Sequence, residues 1–215
     1  MALQFMSLGG CCADMPILGD LRVRGPVDNY KSLHGLRDAL GLFNGDFEKQ
    51  MFEEGPIKVK PRKAQWKGDG EKSFYFRDWE NHHIDYDNPH IKDKIKERFE
   101  AFKEFSKKVK TDPDCYFVWV LVKHDTQSIK DWGKHPNNEF KAALAELGNY
   151  IPLDKLIIIG EKKVKSHSAF NAYFDPEDLP GQKYLDIELV EVEQLSKRKA
   201  KKNHEDFLQK VQLII

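Results

Sequence analysis

Cysteine is scarce in this chain: three among 215 residues, too few and of the wrong parity for a disulfide scaffold. Reduced thiols are easiest to keep in a reducing compartment, so a cytoplasmic protein is expected. There is no surplus of either charge, because 35 Lys and Arg balance 35 Asp and Glu. No overall field therefore draws the chain to nucleic acid or to an anionic membrane. No apolar run approaches the length that spans a bilayer, and no internal repeat or low-complexity tract occurs. Phosphate-cradling GxxxxGK(S/T) and GxGxxG loops are missing, as are the CxxC and HExxH spacings of common metal sites. Leu8-Gly9-Gly10-Cys11 superficially matches a lipoprotein cleavage box. Residues 1–6 hold no Lys or Arg, however, and the apolar stretch is too short for a signal region, so lipidation is not expected.

What remains is the composition of a soluble globular protein, 40% hydrophobic and 12% aromatic. The length suits one domain over 1–195, followed by a basic segment and short helix over 196–215. Leu3–Leu8 reads as a short buried strand, and Cys11–Leu18 as a helix limited by Pro16. Leu33, Leu36, Leu40 and Phe43 fall at helical spacing, with Gly45 as the stop. The charged stretch 53–72, rich in Gly and Pro, reads as a hairpin or excursion, and Ser73–Trp79 as a strand. Asn88-Pro89 launches a long helix with Ile91, Ile95, Phe99, Phe102 and Val109 on one face. Cys115–Val122 and Leu156–Ile159 are apolar runs typical of strands buried on both faces, with a helix over Asn138–Leu147 between them. That unit predicts a right-handed parallel crossover. Ala169–Phe174 and Tyr184–Val192 read as further strands, the latter at an edge. The fold class is thus α/β: a mixed, mainly parallel central sheet covered by helices, with antiparallel strands at the later edge.

Chemistry concentrates in a few places. Ser7-Leu8-Gly9-Gly10-Cys11-Cys12 follows the first strand, and its two glycines suit a turn that sets a thiol at a helix start. Helix N-terminal N–H groups favour the thiolate, the reactive form. The plainer reading is a pair of reduced cysteines in a packed corner. His82-His83 ends an aromatic strand and His124-Asp125 follows the buried strand that ends at Val122. Open sheets place sites at strand carboxyl ends, so strands parallel to the first would bring thiol and imidazole to one edge. Asp85 or Asp125 is then the orienting carboxylate, although His83 and Asp85 also share a strand face and suit a structural hydrogen bond. Zinc is a weaker candidate, since the available ligands (Cys11, Cys12, His82, His83, His124, Cys115) lack metal-site spacing. Neither a metal nor another cofactor is expected. The basic run 197–202 reads as the solvated face of a terminal helix rather than a nucleic-acid contact.

Taken together these segments resemble the bacterial family described as papain-like cysteine peptidases. Its members open with a strand running into Ser-Leu-Gly-x-x-Cys, which here selects Cys12. Its later pieces correspond to Leu21-Arg22, Pro26-Val27-Asp28-Asn29, Asp46-Phe47, His82-His83-Ile84-Asp85 and Val122-Lys123-His124. The resemblance covers about the first 125 residues. It departs where Phe-Asp-Trp has become Val27-Asp28-Asn29, and where an extra residue separates the His pair from Asp85. It implies Cys12 as nucleophile, His83 as general base with His82 as the alternative, and Asp85 as the orienting group. Backbone N–H groups of the turn through Gly9, Gly10, Cys11 and Cys12 would hold the oxyanion. The implied activity is hydrolysis or acyl transfer on a peptide or small amide through a thioester. The alternative is a non-catalytic α/β binding or accessory domain that keeps the framework.

Overall fold

The computed structural model describes residues 2–9, 17–26, 30–32, 34–61, 72–81, 88–122, 125, 138–160, 183–186 and 197–215. In chain order the elements are β1 (Gln4–Ser7), β2 (Tyr30–Ser32), α1 (Leu36–Asn44), α2 (Asp46–Lys49, continued by a wider turn over Gln50–Glu54), β3 (Lys58–Pro61), β4 (Lys72–Tyr75) and β5 (Trp79–Asn81). There follow α3 (Pro89–Val109), β6 (Cys115–Val120), α4 (Asn138–Leu147), β7 (Leu156–Gly160), β8 (Lys183–Asp186) and α5 (Lys197–Val211). No helix among the described residues is long and apolar enough to cross a membrane.

The strands form two sheets. One is wholly parallel, in the order β1-β6-β7-β8, with Ser7 opposite Val118 and Val118 opposite Ile157. The other is antiparallel, in the order β2-β5-β4-β3. The α/β class and the parallel crossover from β6 to β7 are as the sequence predicts. The arrangement of the antiparallel strands is not: they stand in a sheet of their own, and the last described strand, β8, runs parallel to β7 at the edge. Connection length explains both differences. Phe76–Asp78 is only long enough for a hairpin, so the predicted single strand over Ser73–Trp79 folds back on itself, closed by Phe76 N–H to Trp79 O (2.8 Å). Residues 161–182 give β8 more chain than a parallel crossover requires. The predicted strand over Ala169–Phe174 lies outside the described residues.

Side-chain alternation along β6 shows why the whole run is apolar. Phe117 meets the rings of Phe102 and Phe105 on α3 (centroids 5.8 and 5.2 Å) and of Phe43 on α1 (5.7 Å). Tyr116 faces the other way, stacked beside Phe5 of β1, whose ring meets Phe207 of α5 edge-on at 5.0 Å. Helices cover both faces, so every β6 position is buried. The basic C-terminal segment takes part in this core, because Phe207 and Val211 are fully buried while Lys201 and Lys202 remain exposed. The second sheet joins the same core through Trp79, packed edge-on against Phe47 at 4.2 Å, which in turn meets Phe99 of α3. Asn88 caps α3, its Oδ1 accepting from His90 N–H (3.0 Å), and Pro89 occupies the first turn, where its missing N–H costs nothing. Arg22 and Val23 cover the outer edge of β1, with Val23 N–H donating to Phe5 O (2.7 Å).

Phe117 is the ring on which three helical phenylalanines converge. Phe117→Ala should destabilise the protein by about 3–5 kcal/mol, read as a lowered midpoint in urea unfolding. Truncating the exposed Val59 of β3 to Ala should change the midpoint little.

Candidate site at the carboxyl edge of the parallel sheet

Parallel pairing brings the ends of β1 and β6 to one edge. Beyond Ser7 the pairing continues for one residue, with Leu8 N–H donating to Val118 O (2.9 Å). Gly9 then turns the chain at φ +101°, a conformation that a side chain resists. It is buried, and its N–H donates to Ser7 Oγ (3.0 Å). On the neighbouring strand, Asp125 N–H donates to Val122 O (2.9 Å), closing a turn at the same edge.

Asp125 is wholly buried and organises this edge. Its Oδ2 accepts from Trp119 Nε1 and from Val122 N–H, both at 2.9 Å, and its Oδ1 accepts from Leu36 N–H at 2.8 Å. The last bond docks the N-terminus of α1 on the end of β6, through a chain so close that a Cβ on Gly35 (φ +77°) would collide with Asp125 Oδ1. With both oxygens engaged by backbone and indole, Asp125 acts as a structural anchor. Burial pushes its carboxyl up to about 7, helped by the charge of Asp38 and opposed by the three N–H donors.

Docking α1 here creates a polar cluster that the sequence reading did not single out. Asp38, one turn into α1, accepts from Ser32 Oγ (2.6 Å) and from His34 N–H (2.8 Å), both at Oδ2. Its Oδ1 lies 3.4 Å from His34 Nδ1. Asp78, from the turn between β4 and β5, brings its Oδ1 to 4.0 Å from the same nitrogen. Its Oδ2 accepts from Gln50 Nε2 (2.8 Å) and from Arg77 Nε (3.1 Å). Asp38 and Asp78 also line a cleft of about 680 Å³, walled by Arg37, Arg77, Glu139 and Glu146 among others, between α1, α4 and that turn. The one local signal was His34 and Asp38 at i and i+4 across a helix start. Asp78 and Gln50 reach the cluster only through tertiary packing.

Of the residues expected from the sequence, Gly9 and Asp125 are described, and they stand at the same sheet edge. Gly10, Cys11, Cys12, His82, His83, Asp85 and His124 lie outside the described residues. One part of the expectation is corrected. Asn81, which precedes the His pair, ends β5, and β5 belongs to the antiparallel sheet rather than to the sheet of β1 and β6. The short hairpin connection at Phe76–Asp78 dictates that pairing, so the couplet follows a strand that is not in the sheet of β1.

The Asp125 anchor has a pH signature. Below about pH 4 the carboxyl is protonated whether the chain is folded or not. Between there and about pH 7 only the unfolded chain gives up the proton, so this group makes stability fall as pH rises through the window and level off above it. Asp125→Asn should abolish that slope in urea unfolding at pH 4.5, 6 and 8. It should also cost about 1–3 kcal/mol throughout, because an amide nitrogen must then face an N–H donor.

Comparison with protein-family models, with curated proteins and with solved structures finds no match to this chain.

Proposed function

We propose that this chain is a thiol hydrolase or acyltransferase that acts on a peptide or small amide through a thioester at Cys12. The observation that carries the reading is the parallel pairing of β1 with β6, which turns the chain at Gly9 beside the turn closed by Val122 and Asp125. Cys12 is three positions on from Gly9, a reach of at most about 10 Å. His124 falls between Val122 and Asp125 in the chain. Sheet geometry thus favours His124 as the base, whereas the family resemblance favours His83 with Asp85, or His82. Asp125 is too fully engaged to orient either ring.

In the proposed reaction the imidazole takes the thiol proton and the sulfur attacks the carbonyl carbon. The amine leaves with that proton, and water or another acceptor then releases the acyl group. Gly9 N–H is already given to Ser7 Oγ, so the oxyanion donors in this reading are the N–H groups that follow it, up to Ala13.

Cys115 supplies an internal control. It is fully buried, and burial pushes its thiol up, so it should alkylate slowly. Iodoacetamide near neutral pH should label Cys12 at least about tenfold faster than Cys115. Cys12→Ala should remove the fast phase and Cys11→Ala should leave it. Loss of the fast phase in His124→Ala, His83→Ala or His82→Ala identifies the base. Uniformly slow labelling of all three cysteines would overturn the enzyme reading in favour of a binding or accessory domain.

A further inference from the structure

We infer that His34, Asp38 and Asp78 form a binding site for one divalent transition-metal ion at the edge of the cleft between α1 and α4. The inference is independent of the thiol reading and uses none of its residues.

His34, Asp38 and Asp78 each bring one candidate ligand atom within 4.8 Å of the other two. An ion held about 2.0–2.2 Å from each ligand needs those ligands roughly 3–4 Å apart. The observed separations from Nδ1 are 3.4 and 4.0 Å, so small side-chain rotations complete the geometry. Two parts of the chain supply the ligands: the start of α1, with His34 and Asp38 at i and i+4, and the β4–β5 hairpin with Asp78.

The way the carboxylates are held, that of Asp78 above all, is the stronger argument. Asp38 receives Ser32 Oγ and His34 N–H at Oδ2, while Oδ1 is the atom turned to the imidazole. Asp78 repeats the pattern, receiving Gln50 Nε2 and Arg77 Nε at Oδ2 and turning Oδ1 to the same nitrogen. Outer donors that pin Oδ2 of Asp78 orient its Oδ1 as a single-atom ligand, which is how metal sites use their supporting residues. An ion pair between His34 and one Asp would need no second carboxylate brought to the same ring nitrogen.

Gln50 is an independent sign. Its side chain is 2% exposed and its amide lies against Asp78, yet its Oε1 has no hydrogen-bond partner among the described residues. A buried carbonyl oxygen in that position is an acceptor waiting for a donor, such as an ion or its bound water. Rotating the amide would set the oxygen against the Asp78 carboxylate, so the orphan cannot be removed that way.

Two carboxylates and a neutral imidazole balance a doubly charged ion and suit zinc, iron(II) or manganese(II). Three protein ligands leave further positions for water or substrate. His34 is half exposed, so an ion can enter from solvent, whereas the Asp38 side chain is 2% exposed and holds the inner wall.

The test is calorimetric titration of the full chain with Zn²⁺ under reducing conditions, with Co²⁺ as an optical probe. One equivalent should bind. The cobalt spectrum should lack a sulfur-to-metal charge-transfer band. His34→Gln and Asp78→Asn should each weaken affinity at least about tenfold. Because His34 is on the surface, its variant keeps the fold, which circular dichroism checks. A chain carrying Cys11→Ser, Cys12→Ser and Cys115→Ala should still bind one equivalent. No binding by the native chain, unchanged affinity in either ligand variant, or loss of binding with the cysteines would overturn the proposal.

Discussion

Strand β6 is hydrogen-bonded on both edges and covered on both faces, and the position of nearly everything else follows from that burial. A buried backbone must satisfy its polar groups internally. The two flanking strands do this for β6 by parallel pairing, which requires long crossovers that carry helices. Those helices meet the strand through aromatic rings. Phe117 gathers Phe43, Phe102 and Phe105 on one face, and Tyr116 lies with Phe5 and so with Phe207 on the other. The antiparallel sheet is attached to the same aromatic system through Trp79 and Phe47.

Burial of β6 also creates a problem at its carboxyl end, where backbone N–H groups run out of strand partners. Asp125 answers it by accepting from Val122, from the Trp119 indole and from the first N–H of α1. One carboxylate thereby terminates a strand and starts a helix from a distant part of the chain. Opposing effects act on its carboxyl: burial favours the neutral acid, three donors favour the anion, and burial prevails. The close approach of Gly35 shows how little room the junction leaves.

That junction sets two neighbouring regions of different chemistry. The turn at Gly9 leads toward the cysteine pair and underlies the thiol reading. The His34–Asp38–Asp78 cluster lies at the start of α1, where Asp38 and Asp78 line the cleft toward α4. Its carboxylates are oriented by Ser32, Gln50 and Arg77, from elements that do not touch the Gly9 turn in sequence. The acidic and basic residues of the cleft wall, Glu139 and Glu146 with Arg37 and Arg77, make it a polar recess.

Much of the fold was readable locally. The unbroken apolar runs at 115–122 and 156–159 announce strands buried on two faces, and the 3.6-residue spacing of Phe99, Phe102 and Val109 announces α3, because each pattern records which side of an element meets water. Sheet membership was not readable, because strand pairing is a long-range choice: Trp79–Asn81 has the same local character whether it joins β6 or folds back on β4. Gly9 and Asp125 both follow strands of the parallel sheet at its carboxyl edge, yet the sequence could not show that Asp125 is consumed by hydrogen bonds, since those donors lie up to 89 residues away. His34, Asp38 and Asp78 look like ordinary solvated residues one at a time. His34 and Asp38 meet at i and i+4, but Asp78 joins them only once the β4–β5 turn closes beside α1, because proximity between residues 40 or more apart in the chain arises from packing and leaves no periodic trace.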